Sequence, residues 1–349
     1  MISIQNIYYM LSYAFKVLRE QGYKKIAVEE FHNTAEMMAQ ILVRGISLQL
    51  KRGLEKEYIC QTRTLSSLRG KINIADSIKT QSIRRRQLVC IYEDFSLNNR
   101  MNQIIKSTVE ILLKADIGKN IKKELRKLMV FFVDVASIDL YSVNWHLQYN
   151  SNNQTYQMLI GICYLVVKGL IQTNSDGMTK LMDYLDEQQM WRLYQNFIFQ
   201  YYKKHYPDLI VSVSQIPWFL DDSMNKMLPI MQSDIFIKNS NTVLIIDAKY
   251  YKSITQVQFG KHKFNSAHLY QMFAYVKNCE YHLIDEKNSV SGMLLYAKTD
   301  EFMQQDYVYH MHGNKISIKM LDLNLPFSQI ALQMDEIVKS HFIGVKKLV

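Results

Sequence analysis

The chain has few of the features that mark secreted or membrane-bound proteins. Its 4 cysteines lie far apart without C-x-x-C spacing, which favours neither a disulfide framework nor a zinc site. The most apolar segment, residues 158–171, contains Lys168 and is too short to cross a bilayer. No basic lead precedes the first apolar segment, as it would in a signal peptide. We therefore expect a cytoplasmic protein with reduced cysteines and no membrane contact.

Motifs for nucleotide hydrolysis and for covalent catalysis are also missing. No G-x-x-x-x-G-K-[ST] loop occurs, so we expect no nucleoside triphosphate to be bound by this chain through a P-loop. Ser-His-Asp and Cys-His nucleophile signatures are absent too. The chain has only 4 prolines and no Pro-rich linker, and it contains no internal repeat. Its length of 349 residues nevertheless predicts two domains.

Positive charge is concentrated in one region. The formal net charge of the chain is +10, and residues 51–127 alone account for that whole excess. A basic region of this size attracts the phosphates of DNA, or it faces an acidic surface of a partner protein. The alternative is an ordinary solvated charge run, above all for Arg84, Arg85 and Arg86 in a predicted loop.

Residues 231–252 carry the clearest chemical pattern. Asp234 precedes a strand-like segment, and an apolar run at 243–246 ends in Asp247-Ala248-Lys249. Side chains alternate along a strand, so Asp247 and Lys249 point to the same face. Two carboxylates from adjacent strands bind a hard cation such as Mg²⁺, which polarises a phosphodiester and lowers the pKa of an attacking water. Lys249 would then orient that water or offset charge in the transition state.

This layout resembles the PD-(D/E)xK nucleases, with Ser233 where the motif name has proline. A second match lies on the helix predicted after Ser266, where Gln271 and Tyr275 resemble the Q-x-x-x-Y pair of RecB-like members. They share a face with His268, away from an apolar stripe that is typical of a core-facing helix. The alternative for this helix alone is a surface glutamine and a boundary tyrosine.

Many PD-(D/E)xK nucleases also carry a glutamate on the helix that precedes the sheet. The helix predicted over 183–203 has Glu187, Trp191 and Gln195 on the face opposite its apolar stripe. Either Glu187 completes the metal site, or the two aspartates and Lys249 suffice. Gln195 is a further candidate, which would hold a metal-bound water.

The sequence predicts an α/β protein with two domains. The polar stretch 148–157 is the expected boundary between a basic α+β domain at 1–150, which engages a partner, and a PD-(D/E)xK nuclease domain at 151–349. The latter is expected to be a mixed sheet flanked by helices. In the first domain we expect helices over 7–20, 30–48, 98–114 and 119–132, and strands over 56–62 and 88–93.

Two arginines in the first domain each precede a glycine. Arg52-Gly53 and Arg69-Gly70 are expected to form turns at strand ends, because glycine readily adopts turn conformations. Guanidinium groups there are suited to bidentate contacts with carboxylates or phosphates. Arg52, Arg69 and the run Arg84 to Arg86 are therefore candidates for contact with a partner or DNA. Bracing of the small sheet is the alternative for Arg52 and Arg69.

Several short strings together resemble the McrC family over essentially the whole chain. They are Asn6-Ile7-Tyr8-Tyr9-Met10-Leu11, Arg52-Gly53-Leu54 with Tyr58, Arg69-Gly70-Lys71-Ile72, Asn102 with Lys106, and Asp247-Ala248-Lys249-Tyr250-Tyr251-Lys252. The resemblance implies a restriction nuclease subunit that acts with an McrB-like AAA+ GTPase hexamer on double-stranded, methylcytosine-containing DNA. It also implies that the N-terminal part enters the GTPase ring and stimulates GTP hydrolysis.

The resulting expectation is a Mg²⁺-dependent endonuclease in which Asp234 and Asp247 bind metal and Lys249 and Gln271 complete the site. Two alternatives stay open. One is a non-catalytic activator that keeps a dead nuclease fold as a scaffold. The other is a stand-alone nuclease that reads its own DNA target, although no separate reader domain is evident.

Overall fold

The computed structural model describes residues 2–19, 23, 26, 29, 31–149, 153–173, 187–222, 227–250, 255–258, 261–283, 289–298 and 305–348. The helices are α1 (Ile4–Ala14), α2 (Thr34–Arg52), α3 (Ile74–Lys79), α4 (Arg100–Lys114), α5 (Lys119–Met129), α6 (Gln154–Thr173), α7 (Glu187–His205), α8 (Ser266–His282) and α9 (Phe327–His341). The strands of the first half are β1 (Glu57–Leu65), β2 (Lys71–Ile72) and β3 (Leu88–Ser96). Those of the second half are β4 (Ile210–Ser212), β5 (Gln215–Ile216), β6 (Met231–Gln232), β7 (Ile235–Lys238), β8 (Thr242–Lys249), β9 (Thr255–Gln258), β10 (Lys261–Phe264), β11 (Ser289–Ala297), β12 (Tyr307–Met311) and β13 (Asn314–Leu321).

The chain forms two compact units. We call Met1–Glu29 together with Tyr184–Val349 the sheet unit, and Glu30–Asp183 the helical unit. These units divide the chain elsewhere than the expected boundary at 148–157. The reason is packing: α6 lies against α2 and α4, and α1 lies against α7. The functional roles expected for residues 1–150 and 151–349 stay predictions.

The helical unit is built on α2, α4 and α6, with a three-stranded antiparallel sheet in the order β1-β3-β2. Asparagine side chains begin its long helices. Asn33 accepts a hydrogen bond from the Glu36 N–H at the start of α2, and Asn99 accepts one from the Asn102 N–H at the start of α4. Such caps satisfy backbone N–H groups that the first helical turn leaves free.

A six-stranded mixed sheet is the centre of the sheet unit. Its order is β12-β13-β11-β8-β7-β4, with β11 parallel to both β8 and β13 and the other pairs antiparallel. The β8 strand is buried from Val243 to Lys249, which explains its continuous apolar run. Helix α8 packs against β8 and β11, while α7 packs against β7 and β8. The predicted mixed α/β fold with a helix-flanked sheet is confirmed.

Close contact between α8 and β11 depends on a glycine. A Cβ atom at Gly292 would lie 2.6 Å from Met272 Sδ and 2.7 Å from Val276 Cγ2. Both distances are shorter than real side chains tolerate, so glycine lets the helix approach the strand. This packing of Met272 and Val276 fixes the orientation of α8 on the sheet, and with it the position of Gln271 on a neighbouring face of the helix.

Helix α1 belongs to the sheet unit through specific polar contacts. The buried Asn6 amide donates to the carbonyl oxygens of Leu323 at 2.7 Å and Leu325 at 2.8 Å. At the other end of the helix, Tyr13 Oη lies 2.8 Å from His205 Nε2 on α7. Among the described residues, no helix is long and apolar enough to span a bilayer.

Replacing Asn6 by alanine tests whether α1 stabilises the sheet unit. The variant would leave two carbonyl groups without their hydrogen-bond donor. Each buried group without a partner destabilises the fold by about 1–3 kcal/mol. We expect a lower free energy of unfolding in urea titrations followed by circular dichroism. Asn120→Ala is the control, because Asn120 is exposed on α5. Equal stability of the Asn6→Ala and Asn120→Ala variants would contradict the assignment of α1 to the sheet unit.

Candidate active site

The structure brings the predicted site residues of the sheet unit to one end of β8. Asp234 directly precedes β7, and Asp247 and Lys249 lie at the end of β8. The two strands are antiparallel neighbours with Ile235 opposite Ile246. This register places the residue before β7 beside the last residues of β8, so both aspartates meet at the same edge.

Neutral donors hold the Asp234 carboxylate on both oxygens. Oδ1 accepts a hydrogen bond from Gln195 Nε2 at 2.9 Å, and Oδ2 accepts one from the Ala248 N–H at 2.8 Å. Burial, and then the negative charge of Asp247 and a hydrogen bond with it, raises the pKa of Asp234 to about 8. Without bound metal, Asp234 therefore retains its proton over much of the neutral range.

Lys249 connects the aspartates to α8. Its Nζ atom lies 2.7 Å from Asp247 Oδ2 and donates to Gln271 Oε1 at 3.3 Å. Gln271 Nε2 in turn donates to Tyr275 Oη at 2.9 Å. Asp247 and Lys249 are 3% and 8% exposed, so this ion pair is largely withdrawn from water and little screened. Gln271 thus contacts Lys249, and Tyr275 contacts Gln271; their roles in a catalytic site stay predictions.

The oxygen atoms at this edge fit a hard cation. Asp247 Oδ2 is buried and, although it faces the lysine ammonium, accepts no hydrogen bond from the described residues. An oxygen of that kind next to a second carboxylate suits Mg²⁺, which takes oxygen ligands and retains waters. Within the described ranges, no group of three His, Cys, Asp or Glu side chains forms a fuller metal cluster.

The helix α7 contributes differently from the expectation for its glutamate. Gln195 donates to Asp234, a contact that the sequence did not reveal. Glu187 begins α7, but its side chain lies outside the part that the structure describes. Whether Glu187 completes a metal site therefore stays a prediction.

Two further side chains, Trp191 and His268, contact residues next to the site. Trp191 Nε1 donates to the Ala248 carbonyl oxygen at 2.8 Å, between the two motif residues of β8. His268 Nδ1 lies 2.7 Å from the hydroxyl of Tyr296, which pairs with Lys249 in the register of β11 and β8. Burial and the charge of Lys249 lower the pKa of His268, so its neutral form is favoured.

The candidate arginines of the helical unit occupy three kinds of environment. Arg52 ends α2 rather than a strand, because Gly53 with φ 92° caps that helix, and its guanidinium donates to Thr155 Oγ1 at 3.3 Å. Arg69 pairs with Asp94 at 3.0 Å and stacks on Tyr92 at 4.1 Å. The run Arg84 to Arg86 is exposed in and after a 3₁₀ turn.

Two landmarks that carry the family resemblance make structural contacts. Asn102 is fully buried, donates to the carbonyl oxygens of Glu55 and Leu97, and accepts from Tyr156 Oη at 2.7 Å. Lys106 Nζ donates to the carbonyl oxygens of Phe132 and Val135. These side chains therefore satisfy loop backbone inside the helical unit.

The raised pKa of Asp234 predicts a pH-dependent stability in metal-free buffer. The folded state binds this proton more tightly than the unfolded state, in which the aspartate has its ordinary pKa of 3.8. Stability therefore falls as pH rises from about 4 to about 8, by up to about 1.4 kcal/mol per pH unit. We expect Asp234→Asn to remove this slope in thermal melts with a chelator.

The exposed residue Asp208, also in the sheet unit, provides the control. Asp208→Asn should keep the wild-type slope of melting temperature against pH. An Asp234→Asn slope equal to that of the wild type would show that Asp234 is not the group that retains the proton.

Known proteins are similar to this chain over most of its length. Residues 4–297 match the family model for the McrBC 5-methylcytosine restriction system component. The Type IV methyl-directed restriction enzyme EcoKMcrBC of Escherichia coli (strain K12) is 28% identical over 313 residues, which cover 88% of this chain and 89% of that protein. A solved half-complex from a tetradecameric assembly of Thermococcus gammatolerans McrB AAA+ hexamers with bound McrC contains a chain with a similar fold. The TM-score is 0.55 at 15% identity, covering 96% of this chain and 76% of that one. The chain belongs to the family of McrBC 5-methylcytosine restriction system components.

Proposed function

We propose that this chain is the nuclease subunit of a GTP-driven restriction complex, a metal-dependent endodeoxyribonuclease that cuts methylcytosine-containing DNA in the cytoplasm. The observation that carries the proposal is the convergence of Asp234, Asp247, Lys249 and Gln271 at one sheet edge, where Lys249 Nζ lies 2.7 Å from Asp247 Oδ2 and 3.3 Å from Gln271 Oε1. Membership of the restriction family supports the DNA substrate.

In this proposal Asp234 and Asp247 would hold Mg²⁺. The bound ion would supply Lewis-acid polarisation of a phosphodiester and a water of lowered pKa. Asp234 is kept in place for that task by Gln195 and the Ala248 N–H. Lys249 directs its ammonium group to the phosphate or the attacking water, and Gln271 sets the direction of that ammonium through Tyr275.

Burial of the charged residues favours a catalytic role over the scaffold alternative. An ion pair such as Asp247–Lys249 costs desolvation energy that its attraction barely offsets, so apolar residues of similar volume commonly stabilise a fold equally well. Perturbed carboxyl groups of this kind cluster at functional sites. The site therefore contains more buried charge than a purely structural sheet edge needs.

We further propose that the helical unit engages an AAA+ GTPase and stimulates it. The solved assembly of Thermococcus gammatolerans McrB AAA+ hexamers with bound McrC supports a partner of this kind. The surface around α3 supports this role. Leu68, Ile74, Ile78 and Ile83 are each more than half exposed there, next to the exposed run Arg84 to Arg86. Exposed apolar side chains beside cations are typical of a protein contact rather than of a solvated charge run.

Removal of either carboxylate should abolish cleavage. We expect Asp234→Ala, Asp247→Ala and Lys249→Ala to lose detectable cutting of methylated DNA in the presence of Mg²⁺, GTP and the cognate GTPase. Binding to the GTPase should persist, because these residues lie in the sheet unit. The measurement is a gel assay with each variant, alongside co-purification with the GTPase.

The matched control is Asp322→Ala, which removes an aspartate paired with Lys298 in the same unit at 2.7 Å. Cutting by Asp247→Ala at the wild-type rate would refute the catalytic assignment. Cutting by the wild-type chain without any GTPase would instead favour the stand-alone nuclease.

Charge removal at Arg84 to Arg86 tests the partner role. We expect the triple alanine variant of the full chain to lower stimulated GTP hydrolysis, and cleavage with it, because a cationic rim beside the apolar surface is lost. Lys119, Lys123 and Lys127 are exposed on α5 and give a control triple with the same loss of charge. Equal losses in both triples would mean that overall charge, not this surface, engages the partner.

A further inference from the structure

The end of β8 lacks a strand on its β7 side. The antiparallel register that pairs Ile235 with Ile246 would place Ser233 opposite Ala248. Ser233 instead turns away, because its N–H donates to the Ser214 carbonyl oxygen at 3.0 Å. The neighbouring residues continue in that direction as the β5–β6 pair. In the described part of the chain, Ala248 is thus left without a strand partner on this side.

Two side chains take the place of the missing strand. The Ala248 N–H donates to Asp234 Oδ2, and the Ala248 carbonyl oxygen accepts from Trp191 Nε1, each at 2.8 Å. Ala248 is fully buried, and a buried backbone group without a partner costs about 1–3 kcal/mol. The indole therefore satisfies the one carbonyl that sits between Asp247 and Lys249.

Each of these hydrogen bonds fixes one peptide plane. A peptide unit is planar. The Ala248 N–H therefore lies in the peptide plane between Asp247 and Ala248, and the Ala248 carbonyl lies in the plane between Ala248 and Lys249. Asp234 fixes the first plane and Trp191 fixes the second. The directions in which Asp247 and Lys249 leave the backbone are set by these two planes.

Helix α7 acts as one rigid source of donors. Trp191 and Gln195 are four residues apart, so they lie on the same face of the helix, one turn from each other. One donates to the β8 backbone and the other to the Asp234 carboxylate. The same helical face therefore holds both elements that carry the metal-binding carboxylates.

We propose that Trp191 is a positioning residue for the nuclease site: its Nε1–H bond to Ala248 aligns Asp247 and Lys249 with Asp234. The inference rests on the proposed nuclease function. The indole N–H is a donor only and carries no titrating proton, so its contribution is orientation. Residues that orient metal ligands typically change metal affinity or activity by about 10–100-fold when they are replaced.

Trp191→Phe tests this role, because it removes the N–H while keeping an aromatic ring. We expect the single-turnover cleavage rate with the cognate GTPase to fall about 10–100-fold, with little change in the DNA concentration at half-maximal rate. Calcium affinity, measured by calorimetry without turnover, should fall as well. GTPase stimulation should be retained, since the helical unit is unchanged.

Trp218→Phe is the matched control. Trp218 is in the same unit, and its Nε1 also donates to a backbone carbonyl, that of Pro229, at 2.7 Å. We expect this control to cut at the wild-type rate even where its melting temperature falls as far as that of Trp191→Phe. Should Trp191→Phe fold poorly, benzothienylalanine at position 191 keeps the bicyclic shape and replaces the N–H with sulfur.

The outcomes separate the two proposals. A Trp191→Phe variant with wild-type rate and calcium affinity, or with losses no greater than those of Trp218→Phe, overturns the positioning role. If the wild-type chain with its GTPase does not cut at all, the nuclease proposal fails. The calcium affinities of the same variants then decide the positioning role alone.

Discussion

Two carboxylates held side by side inside the sheet unit are the constraint on which the rest of the site depends. Asp234 loses hydration on burial and is repelled by Asp247, and both effects raise the pKa of Asp234. The two carboxylates are stabilised by different groups. Asp247 faces the ammonium of Lys249, whereas Asp234 receives only neutral donors. The arrangement leaves one aspartate ready to hold a proton, and a divalent cation would compete for the same place.

The topology of the sheet explains why the carboxylates meet there. Parallel pairing of β8 with β11 brings the carboxyl ends of two buried strands to one edge, where α/β folds commonly bind ligands. On the other side the pairing of β7 with β8 stops at Ile246, three residues before Lys249, because β7 begins only at Ile235 and the preceding chain turns away at Ser233. A longer β7 would pair its backbone with Ala248 and exclude the Asp234 carboxylate. The short strand is therefore a condition for the site, and side chains replace the missing ladder.

Contacts that depend on local patterns follow from the sequence more directly than contacts between distant segments. Alternation along β8 gives the shared face of Asp247 and Lys249, and helical periodicity gives that of Gln271 and Tyr275, because both patterns are local. Trp191 shows the limit: its bond to Ala248 joins positions 57 residues apart, and no local pattern encodes it. The same applies to Asn6, whose partner Leu323 is 317 residues away, so no local pattern indicates that α1 packs in the sheet unit. Arg52-Gly53 differs from the expected strand turn for another reason, since glycine ends helices as readily as it forms strand turns.

The residues that carry the family resemblance fall into two physical classes. Asn6, Asn102 and Lys106 donate to backbone carbonyls within their own unit, a task that requires particular donor geometry and no chemistry. Such side chains identify the fold and are equally compatible with an active or an inactive protein. Asp247 and Lys249 differ, because the strand they occupy would be stable with apolar residues on both faces, as it is from Val243 to Ile246. Charges at these two positions have no comparable structural need, and the case for catalysis rests on them rather than on the landmarks.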